Sequence, residues 1–203
     1  MTVQSEPSPA GRAIEEKSRS IIDERLRPLG LDPFHHAILR RVIHATADFS
    51  FIETLRVHPA ARERGLAALQ SGRPVVCDVR MLAAGITRYA GGAVTAIDDA
   101  AVKERARVEG VTRAAAAMRS LAPRLDGAVA AIGNAPTALE AVLDLAGQGF
   151  RPALVVGAPV GFVGAAESKE ALIASELCYI TCLGPRGGSP VAAAMVNALL
   201  EFM

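Results

Sequence analysis

The chain has 203 residues, 51% of them hydrophobic and only 4% aromatic, a length that suits one sizeable core rather than two. Its 22 basic and 21 acidic side chains leave a formal net charge of +1, too little for a global field that would hold nucleic acid or an anionic membrane surface. Cys77, Cys178 and Cys182 are odd in number and lack metal-type spacing, which argues against a disulfide framework and for a reducing, cytoplasmic setting.

Residues 1–12 have neither the basic start nor the apolar run of a signal peptide, so they read as a mobile tail before a single α/β domain over 13–203. From Gly11 to Leu29, Ile14, Ile21, Ile22 and Leu26 recur at helical spacing until Pro28 and Gly30 end the pattern. Asp32-Pro33 supplies a cap and a first-turn proline for a second helix running to about Asp48. A third helix follows His58-Pro59 and extends to about Leu69, where Ser71-Gly72-Arg73-Pro74 breaks it.

Five apolar runs then read as strands: Val75–Val79, Ala93–Ile97, Ala128–Ile132, Ala153–Val156 and Tyr179–Leu183, mostly separated by helical stretches. Small residues crowd Val191 to Leu200; that segment permits close helix packing and is expected at a contact between two copies. No apolar run reaches the roughly 20 residues of a membrane span.

Strands that are apolar throughout belong to a parallel sheet covered on both faces, so the expected fold is a three-layer α/β/α sandwich with about five mainly parallel strands. Ligands of such sheets collect at the carboxyl ends of the strands. Here those ends carry Asp78, Gly133-Asn134, Gly157-Ala-Pro159 and Gly184 to Gly188.

The glycine loops do not fit nucleotide phosphates. Gly157, Gly161 and Gly164 miss the dinucleotide spacing, and Gly184-Pro-Arg-Gly-Gly-Ser189 lacks the Lys-Ser/Thr ending of a triphosphate loop. With Asn134, Thr137, Ser168 and Arg186 nearby, they suit a ligand bearing several carboxylates; alternatively the glycines simply let helices close on the sheet.

His44 has Arg40 and Arg41 four and three residues before it and Asp48 four after it, spacings that share one helix face. Asp48 would orient the ring and favour its protonated form, while the arginines would oppose protonation or hold ligand carboxylates. A purely structural histidine fits the same spacing. His35, His36 and His58 form no chelating pattern with it, so no metal site is expected.

In order along the chain, Arg41-Val-Ile-His44-Ala-Thr-Ala-Asp48, Val76 to Met81 with Gly85-Ile86, Thr112-Arg113, Gly133-Asn-Ala-Pro-Thr137, Pro159-Val-Gly-Phe-Val-Gly-Ala-Ala-Glu-Ser-Lys169 and Arg186-Gly-Gly-Ser-Pro190 resemble successive blocks of the precorrin-8X methylmutases. That resemblance implies a flavodoxin-like sheet, a homodimer, and an isomerase without cofactor. It would move a methyl group from carbon eleven to carbon twelve of precorrin-8X to give hydrogenobyrinate. It also implies that His44 is the proton donor and acceptor and that Ser18 and Arg41 contact the tetrapyrrole, with Arg113 and Arg186 as further carboxylate partners. Two alternatives stay open: the same shift on a cobalt-containing substrate to give cobyrinate, and a tetrapyrrole carrier without catalysis.

Overall fold

A computed structural model of the chain describes residues 8–203, so most of the expected tail lies outside the described residues. Ser8 caps α1 (Pro9–Leu26): its hydroxyl accepts from the Gly11 amide at 3.1 Å, and Pro9 takes the first turn, where its missing N–H costs nothing. Residues 9–12 are therefore helical, and the expected tail boundary at residue 12 falls too late. A 3₁₀ turn over Arg27–Leu29 leads into Gly30 at φ 60°, a left-handed cap that glycine adopts without strain.

α2 (Pro33–Thr46) starts as expected, with the Asp32 carboxylate accepting from the Phe34 and His35 amides at 2.9 and 3.2 Å. It stops short of Asp48 because Ala47 turns left-handed, φ 54°, and its N–H closes onto the Ile43 carbonyl at 2.7 Å. Then come α3 (Phe51–Thr54), β1 (Leu55–Val57), α4 (Ala61–Gln70), β2 (Val75–Cys77), α5 (Arg80–Gly85), β3 (Ala93–Val94) and α6 (Ala100–Glu109). The chain continues through α7 (Arg113–Ser120), α8 (Ala122–Leu125), β4 (Val129–Ile132), α9 (Pro136–Gly147), β5 (Leu154–Gly157), α10 (Ala165–Ala174), β6 (Tyr179–Cys182) and α11 (Ser189–Leu200).

The sheet has six strands in the order β1-β6-β5-β4-β2-β3. Every pairing is parallel except that of β1, whose Leu55 stands opposite Cys182 on β6. Without β1, the sequence ranks of the five parallel strands run 2-1-3-4-5, the flavodoxin-like order, with its reversal between β2 and β4. The sequence thus foretold the five parallel strands, and the antiparallel edge strand is the addition.

Both faces of the sheet are covered. Val75 and Cys77, Val129 and Ala131, and Leu154 and Val156 pack with α2, α4, α5 and α11. The alternate residues Val76, Ala130, Ile132 and Val155 pack with α7 to α10, as the two-residue period of a strand requires. On the first face α11 lies against β4 and β5, α2 packs along α11, and α1 packs on α2. Ala192, Ala193, Ala194 and Val196 are all buried in this arrangement. The small-residue segment is therefore spent inside the chain and does not offer the partner contact expected of it.

Candidate active site

Helices α1, α2 and α11 enclose an open groove. Ile22 and Leu26 anchor α1 in the core, and Ser18, one turn before Ile22 on the same face, is thereby turned toward α2. Its Oγ lies 3.1 Å from Nδ1 of His44. The ring is exposed and separates two hollows of different character. On one side Ser18, Ile21, Ile43 and Phe49 line an apolar hollow of about 160 Å³. On the other, Arg40, Arg41, Pro190 and Ala194 line a hollow of about 190 Å³, continued by one of about 260 Å³ that reaches Thr87 and Arg88.

Glu201, just past the end of α11, ties the arginines of α2 together: Arg41 Nε donates to it at 2.5 Å and Arg40 at 3.2 Å. Arg19 pairs with Glu15 on α1 at 2.5 Å. Asn197 donates to the Gly85 carbonyl at 2.8 Å, and its Oδ1 is buried without a protein partner. The i, i+4 spacing of Glu15 and Arg19 is readable from the sequence, but nothing in it marks the pair as lining a groove. Glu201, 160 residues from Arg41, carries no sequence signal that would bring it here.

Asp48 does not join His44. The left-handed turn at Ala47 carries it off the helix face, where it accepts from the Ser50 amide at 2.8 Å and from Arg186 at 2.6 Å. The bonds from Ser50, and then Arg186, hold its carboxyl below the usual range. Orientation of the ring thus falls to the Ser18 hydroxyl instead of a carboxylate. Arg186 also donates to the Ser50 hydroxyl, and its own carbonyl accepts from Lys169 Nζ at 2.6 Å and from the Cys182 thiol at 3.4 Å. Lys169 is fully buried, and that burial pushes its pKa down.

At the reversal of strand order, where such sheets ordinarily admit a ligand, the protein supplies its own anion. Asp78, buried at the end of β2, accepts from the amides of Gly133, Asn134 and Ala135 at 3.1, 2.8 and 3.0 Å. Burial raises its pKa and these three bonds oppose the rise. Gly133 in turn lies so close to α11 that a Cβ there would meet Ser189 Cα at 2.7 Å.

The other expected ligand contacts are scattered. Asn134 is exposed in the loop held by Asp78. Arg113, exposed at the start of α7, and Thr137, whose hydroxyl lies 2.6 Å from that of Thr112, belong to the opposite layer and line neither hollow beside His44. Ser168 is buried and donates to the Ala165 carbonyl at 3.3 Å, so its hydroxyl serves its own helix. His36 pairs with Asp23 at 3.3 Å, His35 with Asp32, and the His58 ring accepts from the Ala60 amide at 3.1 Å. Among the described residues no three His, Cys, Asp or Glu side chains gather into a metal-binding group.

Fold and groove together define a flavodoxin-like α/β protein with an imidazole–hydroxyl pair at the rim of an arginine-walled trough, the equipment for proton transfer on a ligand with anionic substituents. A family model described as CbiC, precorrin-8X methylmutase, matches residues 13–202. A cobalt-precorrin-8 methylmutase of Leptospira interrogans is 41% identical, covering 94% of this chain and 93% of its own. A precorrin-8X methylmutase of Pseudomonas aeruginosa is also 41% identical, over 93% of this chain and 94% of its own. The solved precorrin-8X methylmutase of Thermus thermophilus superposes with a TM-score of 0.85 at 40% identity, covering 95% of this chain and 96% of that one. The chain belongs to the precorrin-8X methylmutase family, isomerases that catalyse a methyl migration.

Proposed function

We propose that this chain moves a methyl group from carbon eleven to carbon twelve of precorrin-8X, giving hydrogenobyrinate, with His44 giving and retaking the proton. The observation that carries the reading is the Ser18 hydroxyl 3.1 Å from His44 Nδ1, at the boundary between an apolar and an arginine-lined hollow. With Nδ1 paired to the Ser18 hydroxyl, Nε2 is the ring nitrogen left to act on substrate; it gives its proton while Ser18 donates to Nδ1, or from the imidazolium, whose Nδ1–H donates to Ser18. Protonating or hydrogen-bonding a ring nitrogen of the substrate draws electrons from its conjugated system, which assists the shift. One carbon–methyl bond breaks, one forms, and the proton returns, so no oxidant or reductant is consumed.

The flat macrocycle would lie over Ile21 and Phe49, with carboxylate side chains toward Arg41. Asn134 and Arg186 are proposed as outer contacts, the latter after release from Asp48. Arg113, Thr137 and Ser168, as they stand, have no place in this pose. We further propose a homodimer and a cytoplasmic setting, the latter because all three thiols are free.

Relatives named for the cobalt-containing and the metal-free substrate match equally, at 41%, so turnover of both substrates by the purified protein is the assay to run. His44→Ala should lower the rate by at least about 100-fold with little loss of binding. Arg41→Ala should raise KM more than it lowers kcat. Conversion of precorrin-8X by folded His44→Ala within about tenfold of wild type, followed by visible absorption, would remove His44 from the mechanism.

A further inference from the structure

The two polar hollows beside His44 hold about 190 and 260 Å³, each smaller than the roughly 300–1,000 Å³ of a pocket that encloses a whole ligand. They fit substituents of a large ring better than the ring itself. Four arginines, Arg19, Arg40, Arg41 and Arg88, face two glutamates there, Glu15 and Glu201. Both carboxylates are committed: Glu15 holds Arg19, and Glu201 holds Arg40 and Arg41. Arg88 makes no hydrogen bond or ion pair among the described residues and is exposed at the far end of the trough.

From this we propose that Arg88 and the hollow it closes form a second carboxylate subsite, which takes a side-chain carboxylate of the macrocycle and sets its register over His44. The inference rests on the methylmutase reading for the identity of the ligand. Its physical ground is the uneven distribution of charge. Arg41 must exchange Glu201 for a substrate carboxylate, whereas Arg88 has no internal ion pair to break. A planar guanidinium can bind a carboxylate through two parallel hydrogen bonds. The hollow shares Arg19, Arg41 and Asn197 with the hollow beside His44, so one molecule can reach both.

The test compares Arg88→Gln, Arg88→Lys and a control, Arg124→Gln, which removes an exposed arginine on α8 in the opposite layer. A charge-assisted hydrogen bond is worth enough to change affinity about tenfold. Arg88→Gln should therefore raise KM for the turned-over substrate, and Kd for hydrogenobyrinate in an absorption titration, by about that factor. Arg88→Lys should recover part of the loss. Added salt should weaken product binding less in Arg88→Gln than in wild type. Arg88→Gln within about twofold of wild type in both constants overturns the subsite, as does an equal effect of Arg124→Gln. If wild type turns over neither the metal-free nor the cobalt-containing substrate, the methylmutase reading fails by itself, and the subsite is still judged by the product titration.

Discussion

Asp78 closes the place where the fold would otherwise hold an anion. Its carboxylate accepts from three successive amides at 2.8–3.1 Å, so the loop after β4 is set before any ligand arrives. Asp78→Asn keeps the shape but turns an NH₂ group toward backbone donors, leaving at least one buried amide unpaired. Unfolding by urea should show a loss of about 2–3 kcal/mol, and a loss under about 0.5 kcal/mol would mean that the loop does not need the carboxylate. At this scale the sequence was partly legible. Asp78 was visible as the end of an apolar run, while the proposed roles of Ser18 and His44 came from family resemblance and their 3.1 Å contact had no sequence signal. The partners of Arg41 and Asp48 were not, because helical spacing reports neighbours only within one helix, and Ala47 ends that helix before Asp48.

Elements were legible where their signal is internal to them. Asp32-Pro33 marked the start of α2 because cap and first-turn proline act on their own amides, and the apolar runs of β2, β4, β5 and β6 announced buried parallel strands. β1 was missed, since three residues pairing with β6 carry no period of their own. α10 was read as a family block, yet its Lys169 is buried and reaches the loop of Arg186, which no composition rule for lysine anticipates. That burial has a pH signature. With its folded pKa lowered from 10.5, Lys169 binds fewer protons in the folded chain than in the unfolded one across the window between the two values. Stability therefore rises with pH in that window, as the penalty for the buried ammonium is relieved. Lys169→Met removes the penalty, while the Arg186 carbonyl keeps Cys182 as donor. Relative to the variant, wild type should gain stability as pH rises toward 10.5, read from urea midpoints. A constant difference between the two proteins would show that Lys169 binds as many protons folded as unfolded, as a fully paired ammonium does.

For the molecule as a whole, the layer order followed from apolar runs that serve both faces of a sheet, but the position of the candidate groove did not. The rule that ligands gather at the strand reversal points to Asp78 and Gly133, whereas the groove lies on one outer wall, where α1 and α2 stand over α11. The same wall bears on assembly. α11 spends its small residues inside, so the proposed homodimer would have to be held by other surfaces. Phe162 is 99% exposed, Val163 87% and Ile14 72%, and burying side chains of this size stabilises an association by about 1.5–3 kcal/mol each. A formal net charge of +1 adds no appreciable repulsion between copies. Light scattering at micromolar concentration should therefore return the mass of two 21.1 kDa chains. Phe162→Ser should move the protein toward the single-chain mass if this loop lies in the contact. A wild-type mass of one chain at that concentration would end the dimer proposal and leave these side chains as free surface, with the assignment of His44 and Ser18 untouched.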